Sequence, residues 1–189
     1  NLTVRGGTND QNLVLWDGIK MYQTGHFFGL ISAFNPYLTD KIQFTKNGTS
    51  TSLNDGVSST IDIRSDDNVV KKFSGGAGIN MINGDFFVKI PLSPRMSIQV
   101  SGRRSIADLF KTPTYNQYFE RTFSNTDVAG ISSANDTLLT TDENFYFYDL
   151  NLKLMVDLSE NDKLRVNFLG FNNEISYQEN ATRNNTTES

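Results

Sequence analysis

Phe145 to Leu158, FYFYDLNLKLMVDL, decide the fold, because they hold a period of two without a break. Tyr146, Tyr148, Leu150, Leu152, Leu154, Val156 and Leu158 fall on one face of an extended chain, and Asp149, Asn151, Lys153 and Asp157 on the other. Strands of soluble domains run about 5–6 residues, whereas a tilted strand crossing a bilayer needs about 9–11. Two tyrosines at one end of the apolar face suit an interfacial girdle. The stretch predicts a transmembrane β-strand with Leu152 toward lipid. Lys153 then faces a lumen where water or polar groups solvate it, so Lys153→Gln is expected to be nearly neutral for folding.

The flanking sequence repeats the pattern. Ile82, Gly84, Phe86, Val88, Ile90 and Leu92 share one parity against Asn83, Asp85 and Lys89, and Ser93-Pro94-Arg95 predicts a tight turn. Met96, Ile98 and Val100 oppose Ser97, Gln99 and Ser101 in the next strand. A connection of about forty residues, Arg104 to Glu143, far exceeds the usual loop. After Phe145–Leu158, the turn Ser159-Glu160-Asn161-Asp162 leads to a fourth strand carrying Leu164, Val166 and Phe168. Its phase shifts near Gly170 as at a bulge, and from Asn172 onward the chain reads as a polar tail. Short turns on one side against long connections on the other are the asymmetry of outer-membrane barrels. The rival is a soluble β-sandwich, whose strands also alternate; strand length and loop asymmetry favour the barrel.

Composition agrees with extensive polar surface. Only 37% of the 189 residues are hydrophobic, under the usual ~45–50% apolar share, yet there are 14 Phe and 7 Tyr, as when aromatics collect at membrane interfaces. The net charge is −4 and the tightest positive cluster is Arg103-Arg104, so no nucleic-acid partner is expected. Without cysteine there is neither a disulfide framework nor a Cys-based metal site. His26 is the only histidine, no serine occupies a nucleophile elbow, and no pair of acids stands out by spacing. No enzymatic activity, metal or cofactor is expected. Asp66-Asp67-Asn68 lacks the glycine and closing Glu of a calcium loop, and Gly75–Gly78 fails the dinucleotide fingerprint; these glycines are expected instead to let the first long strand bend or sit close to the unit before it. With Asn1 in place of Met and no run of 18 apolar residues, the chain is expected to lie within a longer precursor.

Ahead of a polar join at Ser65-Asp66-Asp67-Asn68, short β-rich segments occupy Leu2–Arg5, Asn12–Met21, Lys41–Lys46 and Ser59–Arg64. Tyr22–Pro36, broken by Gly25, Gly29 and Pro36, predicts a loop or short helix. Residues 1–65 thus read as a small α+β unit and 66–189 as the long-stranded region.

An ordered series of motifs adds a family. Val4-Arg5-Gly6-Gly7, Asp10-Gln11-Asn12-Leu13-Val14-Leu15-Trp16-Asp17-Gly18, Phe34-Asn35-Pro36, Phe44-Thr45-Lys46-Asn47-Gly48 and Ser58-Ser59-Thr60-Ile61-Asp62-Ile63 resemble the plug of TonB-dependent outer-membrane receptors of the Bacteroidetes type, with its RGG…DQNLVLLDG…FNP…KGG…SSVIDI series. Val100-Ser101-Gly102-Arg103-Arg104 resembles a motif in the second barrel strand of that branch. The resemblance implies a mainly β fold: the C-terminal part of a plug over 1–65, then about four antiparallel strands of a transmembrane β-barrel over 66–189. Family barrels have about 22 strands, so the chain would be a fragment of a receptor.

The implied function is active uptake of a scarce nutrient across a bacterial outer membrane, whether iron chelate, vitamin, glycan or peptide. The TonB complex would supply energy through the N-terminal part of the plug, and outer-membrane lipid would surround the strands. Arg5 matches the arginine of the family's IRG motif, and Lys46 stands where the arginine of its RGP motif lies. In the family these cations face barrel-wall glutamates and seat the plug; a lysine lacks the planar fork of arginine. Tyr22, Gln23, Thr24, His26, Phe27 and Phe28 match the apical plug loop that approaches substrate, and aromatics beside amide, hydroxyl and imidazole suit a partly polar ligand. The other reading of Phe27 and Phe28 is packing against the barrel wall. A surface lipoprotein lid, as in the glycan-importing branch, stays open. So does a non-transporting adhesin or structural barrel, which a TonB box upstream of Asn1 would count against.

Overall fold

The computed structural model describes residues 4, 8–46, 50, 51, 53, 58–107, 109, 112–114, 117 and 137–183, the side chains of 9, 28, 137–144 and 177–183 excepted. The chain is mainly β. β1 (Asn12–Trp16) and β2 (Ile19–Lys20) form a hairpin. Its two-residue turn is Asp17-Gly18, both at positive φ (46° and 82°), the conformation that matches strand twist and that Asp-Gly adopts with least strain. Asn12–Met21 is therefore two strands and a turn.

β3 (Gly25–His26) and β4 (Ile31–Ser32) make a small ribbon around the 3-10 turn Phe27–Gly29. A Cβ on Gly25 would lie 2.6 Å from the Ile31 carbonyl oxygen, so only glycine lets the ribbon close. β5 (Thr39–Lys46) and β6 (Ser59–Ser65) complete a four-stranded sheet in the order β2-β1-β6-β5, in which β1 and β6 run parallel.

The expected α+β character of 1–65 is corrected: the described residues there contain 3-10 turns but no α-helix. Gly25, Gly29 and Pro36 interrupt the one segment long enough to have formed one. Val4 lies in a bend, and the other residues of the Leu2–Arg5 segment are outside the described residues.

A second sheet follows: β7 (Ser74–Ile79), β8 (Asn83–Ser93), β9 (Met96–Ser105), β10 (Thr137–Asp157) and β11 (Lys163–Arg183). It is an antiparallel meander in which each strand pairs with its neighbour in sequence. Five strands replace the four expected, because β7 is glycine-rich and has no apolar alternation to announce it. β10 starts at Thr137, not after Glu143, which shortens the long connection to 106–136.

β11 continues through Asn172 to Arg183, so most of the polar tail is strand. Its backbone pairs with 137–144 in unbroken register from Asp157↔Lys163 to Thr137↔Arg183. Gly170 therefore marks no bulge. The apparent phase shift arises because Leu169 and Phe171, on the inner parity, are apolar for a local reason: they pack on the first sheet. The register irregularity of this sheet lies instead between Pro91 and Ser93 in β8, where Pro has no N–H to give to the ladder.

The first sheet sits on the polar face of the second. Val14, Trp16, Met21, Leu38 and Ile63 form the core between them, joined by Phe34, Phe87, Leu169 and Phe171, and Trp16 stacks on Phe34 at 5.4 Å. A smaller cluster gathers Phe27, Ile31, Ala107, Phe145 and Phe147. Along β9 the buried side chains are those of Ser97, Gln99, Ser101, Arg103 and Ser105, with Gly102 buried beneath Phe86, and along β10 they include Asp149, Asn151 and Lys153. The apolar parity points away: Leu150, Leu164, Val166 and Phe168 are exposed, Phe168 at 55%. The period of two is kept, and burial along it is inverted.

Candidate functional site

The interface between the sheets carries two buried ionic clusters, both built from the polar face of β10. In the upper one Asp149 is the hub. Arg103, directly across on β9 in register, donates Nε to Asp149 Oδ2 at 2.8 Å, and its Nη2 lies 2.7 Å from the same oxygen as an ion pair. His26 Nε2 lies 3.1 Å from the same oxygen, and its Nδ1 is 2.6 Å from Asn173 Oδ1 on β11. Arg103 Nη2 also donates to the Ser32 carbonyl at 2.7 Å, reaching β4. His26 is fully buried and stacks on Phe147 with ring centroids 4.3 Å apart. A buried charge is tolerated only when its partners are this complete.

The lower cluster lies four residues further along β10, about 13 Å by strand rise. Lys153 Nζ, 1% exposed by residue, donates to Ser65 Oγ at 2.9 Å, meets Asp67 Oδ1 at 2.5 Å and lies 3.5 Å from Asp17 Oδ2. Asp17 in turn accepts from the Ser65 backbone N–H at 2.8 Å and from Ser65 Oγ at 2.5 Å. The positive φ of Asp17 is thus tied to a specific use: its carboxylate turns from the β1–β2 hairpin onto the end of β6 and the ammonium of β10. Arg165 on β11 holds the join between the sheets, donating to the Asp67 carbonyl from Nε and Nη2 at 3.0 and 2.7 Å and to Asp157 at 2.7 Å. Lys153→Gln is therefore expected to carry a cost, because the buried Lys153 ammonium is paired with the buried carboxylate of Asp17 as well as with the exposed one of Asp67.

The predicted residues divide. Tyr22 is 89% exposed, with the Lys20 ammonium 5.0 Å from its ring, and Gln23 is exposed while donating to the Gly25 carbonyl at 3.0 Å. Thr24 is half-buried, and its carbonyl accepts from Ala33 at 3.0 Å. His26 and Phe27 are turned onto β10, Phe27 at 2% exposure against Phe145. The Phe28 side chain lies outside the described residues, as does Arg5. Lys46 is exposed at the end of β5, 5.4 Å from the ring centroid of Phe44. The structure joins His26 and Phe27 in one contact with β10, leaves Tyr22 and Gln23 at the surface, and sets Lys46 on the far strand of the first sheet.

Asp149, Arg103, Asn173, Asp17 and Ser65 were missed as site residues. The one signal was that a strand with a lipid-like apolar face also carried charges on its other face, and charges in such a place require partners. Among the described residues no three His, Cys, Asp or Glu side chains come together as a metal site, and no helix is long and apolar enough to cross a membrane. Comparison with family models, curated proteins and solved structures finds no match for this chain.

Proposed function

We propose that the chain belongs to a TonB-dependent outer-membrane receptor, the first sheet being part of its plug and β7–β11 the first strands of its barrel. The observation that carries this reading is the inverted burial of the second sheet. An exposed apolar band across β10 and β11 is costly in water and favourable in lipid. The same strands turn serine, glutamine, arginine and lysine inward onto another part of the chain, which is how a barrel wall faces its contents. A soluble β-sandwich would place its second sheet over Leu150, Val166 and Phe168, and here the first sheet packs on the opposite face. Open edges at β7 and β11 would leave backbone groups unpaired in lipid, so further strands complete the wall. The cargo is a nutrient taken up with TonB-transmitted energy, approached by the surface tip Tyr22-Gln23.

The test is fractionation of the full-length protein from its cells. It is expected in the outer membrane, resistant to salt and carbonate washes, with a folded gel mobility that shifts only on boiling. Release into the soluble fraction by salt, as a monomer without detergent, overturns the proposal.

A further inference from the structure

The irregular end of β8 makes a groove that contact with bulk lipid does not require. Pro91 pairs with Ser97 and Ser93 with Met96, which leaves Leu92 without a partner across the ladder. An extra residue of this kind bends its strand, and Pro91 has no N–H with which to hold the edge closed. A cavity of about 380 Å³ opens there, lined by Pro91, Leu92, Ser93, Pro94 and Lys71. β7 begins opposite Lys89, so Lys71 to Phe73 run beside the last residues of β8, with Phe73 and Leu92 both exposed.

Lys71 is the charged member of that lining, and Lys72 and Arg95 flank the groove in sequence. All three side chains are exposed, and none has a side-chain partner among the described residues. Asp66 and Asp67, the acids of the neighbouring join, are engaged with Asn68 and Lys153. Asp157, Glu160 and Asp162 belong to the end of β10 and its turn, beyond β9 in the sheet. On a lipid-facing side a cation is tolerated near the interface and not at the midplane. Both short turns, β8–β9 and β10–β11, lie at this end, which in a bacterial barrel is the periplasmic one, where the leaflet is built of glycerophospholipids. Phe73 stands where an interfacial aromatic belongs, and Lys71 is two residues beyond it.

We propose that this groove binds one anionic glycerophospholipid of the periplasmic leaflet, with its phosphate on the Lys71 ammonium and the first part of an acyl chain along Pro91, Leu92 and Phe73. The inference rests on the membrane reading given above. An ammonium supplies three rotatable donors to phosphate oxygens, and no acceptor among the described residues competes for those of Lys71. Lys72 and Arg95 add to the local positive potential, which favours a headgroup of net negative charge over a zwitterionic one. Apart from Lys71 and the Ser93 hydroxyl the lining is apolar in its side chains. A free phosphate has no use for that surface, and an acyl chain covers it.

The experiment uses the full-length receptor refolded into phosphatidylcholine vesicles containing a trace of phosphatidylglycerol with a photoactivatable group near the top of one acyl chain. Crosslinks are expected to concentrate on peptides containing Lys71–Phe73 and Pro91–Pro94. Lys71→Gln lowers them about fivefold, the scale of one lysine at an anionic surface, and Lys71→Arg retains most of them. Lys163→Gln removes an exposed cation from the same end of β11 and leaves them unchanged, so the groove and not the total charge is read. The same photolabel on phosphatidylcholine marks this end of the outer face evenly, and added inorganic phosphate does not displace the phosphatidylglycerol. Equal labelling of the groove by both lipids, labelling unchanged by Lys71→Gln, an equal drop with Lys163→Gln, or displacement by inorganic phosphate overturns the site. Should Lys71→Gln fail to fold, the two lipids and the phosphate competition in the unaltered receptor decide it. Failure of the membrane reading looks different: the unaltered receptor then neither inserts nor shows a heat-dependent mobility shift.

Discussion

Trp16 on β1 and Phe168 on β11 are both large aromatic residues on extended strands of one chain, yet Trp16 is 1% exposed and Phe168 is 55% exposed. The first sheet follows the ordinary rule of apolar inside, with Val14, Trp16 and Ile63 in its core and Arg64 outside. The second follows the reverse. Where its inner parity turns apolar it meets apolar partners: Phe87, Leu169 and Phe171 pack on the core of the first sheet, and Phe145 and Phe147 on Phe27 and Ile31. Where the inner parity is polar, it meets His26, Ser32, Asp17, Ser65 and the join at Asp66-Asp67. Periodicity tells which residues share a face; what lies beyond each face decides which of the two is buried.

The most disruptive way to test that contrast is to remove a hub of the polar interface. Asp149→Ala leaves Arg103 and His26 buried without their shared acceptor and is expected to cost about 3–5 kcal/mol. Lys153→Gln, which strips the counter-charge from Asp17, is expected to cost about 3 kcal/mol on the same grounds. Urea unfolding of the refolded full-length protein, followed by the fraction keeping folded gel mobility, measures both. Unfolding midpoints unchanged by both substitutions would mean that water reaches these side chains and that the second sheet is not inverted in energy as it is in geometry.

The opposite face gives the next effect. Leu152→Arg places a cation on the outward parity, with Leu150 above it and Leu154 below. In lipid it is expected to cost about 2–4 kcal/mol where depth is greatest. In water an outward arginine changes stability by about 0.5 kcal/mol at most. The same unfolding series run in vesicles and in detergent separates the two cases, and a negligible cost in both would remove the lipid from the outward side.

Much of this contrast was legible in the sequence. The alternation of Tyr146–Asp157 and of Met96–Ser101 is kept in β10 and β9, with the two parities facing opposite sides of the sheet. Gly75–Gly78 were legible as strand glycines, but β7 was not legible as a strand of its own because Ser-Gly-Gly-Ala-Gly-Ile has no apolar face, and the ends of β10 and β11 were not because hydrogen bonding to a neighbour can sustain a strand whose composition is polar. The ionic clusters were half legible. Asp149 and Lys153 could be assigned to the wet face, but their partners stand 88 to 136 positions away in sequence at Asp17, His26 and Ser65, and no local pattern predicts such a meeting. Phe27 shows the converse: ligand contact and packing were both open readings of its loop, and the structure buries it against Phe145.

The smallest effect is expected from an ion pair of similar chemistry within the first sheet. Arg64 donates from Nε and Nη2 to Asp62 Oδ2 at 2.8 and 2.6 Å, much as Arg103 does to Asp149, but the Arg64 side chain is 61% exposed against 7% for Arg103. The hydrogen bond to Asp62 holds the Arg64 guanidinium above its ordinary pKa. A raised folded-state pKa contributes stability that is complete below the ordinary guanidinium value, so the pair adds no slope to stability near neutral pH. Solvent screens most of the contribution that remains, and Arg64→Ala is expected to cost at most about 1 kcal/mol. What does remain should fade as salt is raised, since an exposed pair is screened over about 10 Å at 0.1 M. Arg103→Ala in the same titration should keep its cost across the salt series, because the Asp149 carboxylate it leaves behind is buried. Equal salt dependence for the two arginines would mean that the sheets differ in their apolar faces alone and that the charges between them are as wet as those on the surface.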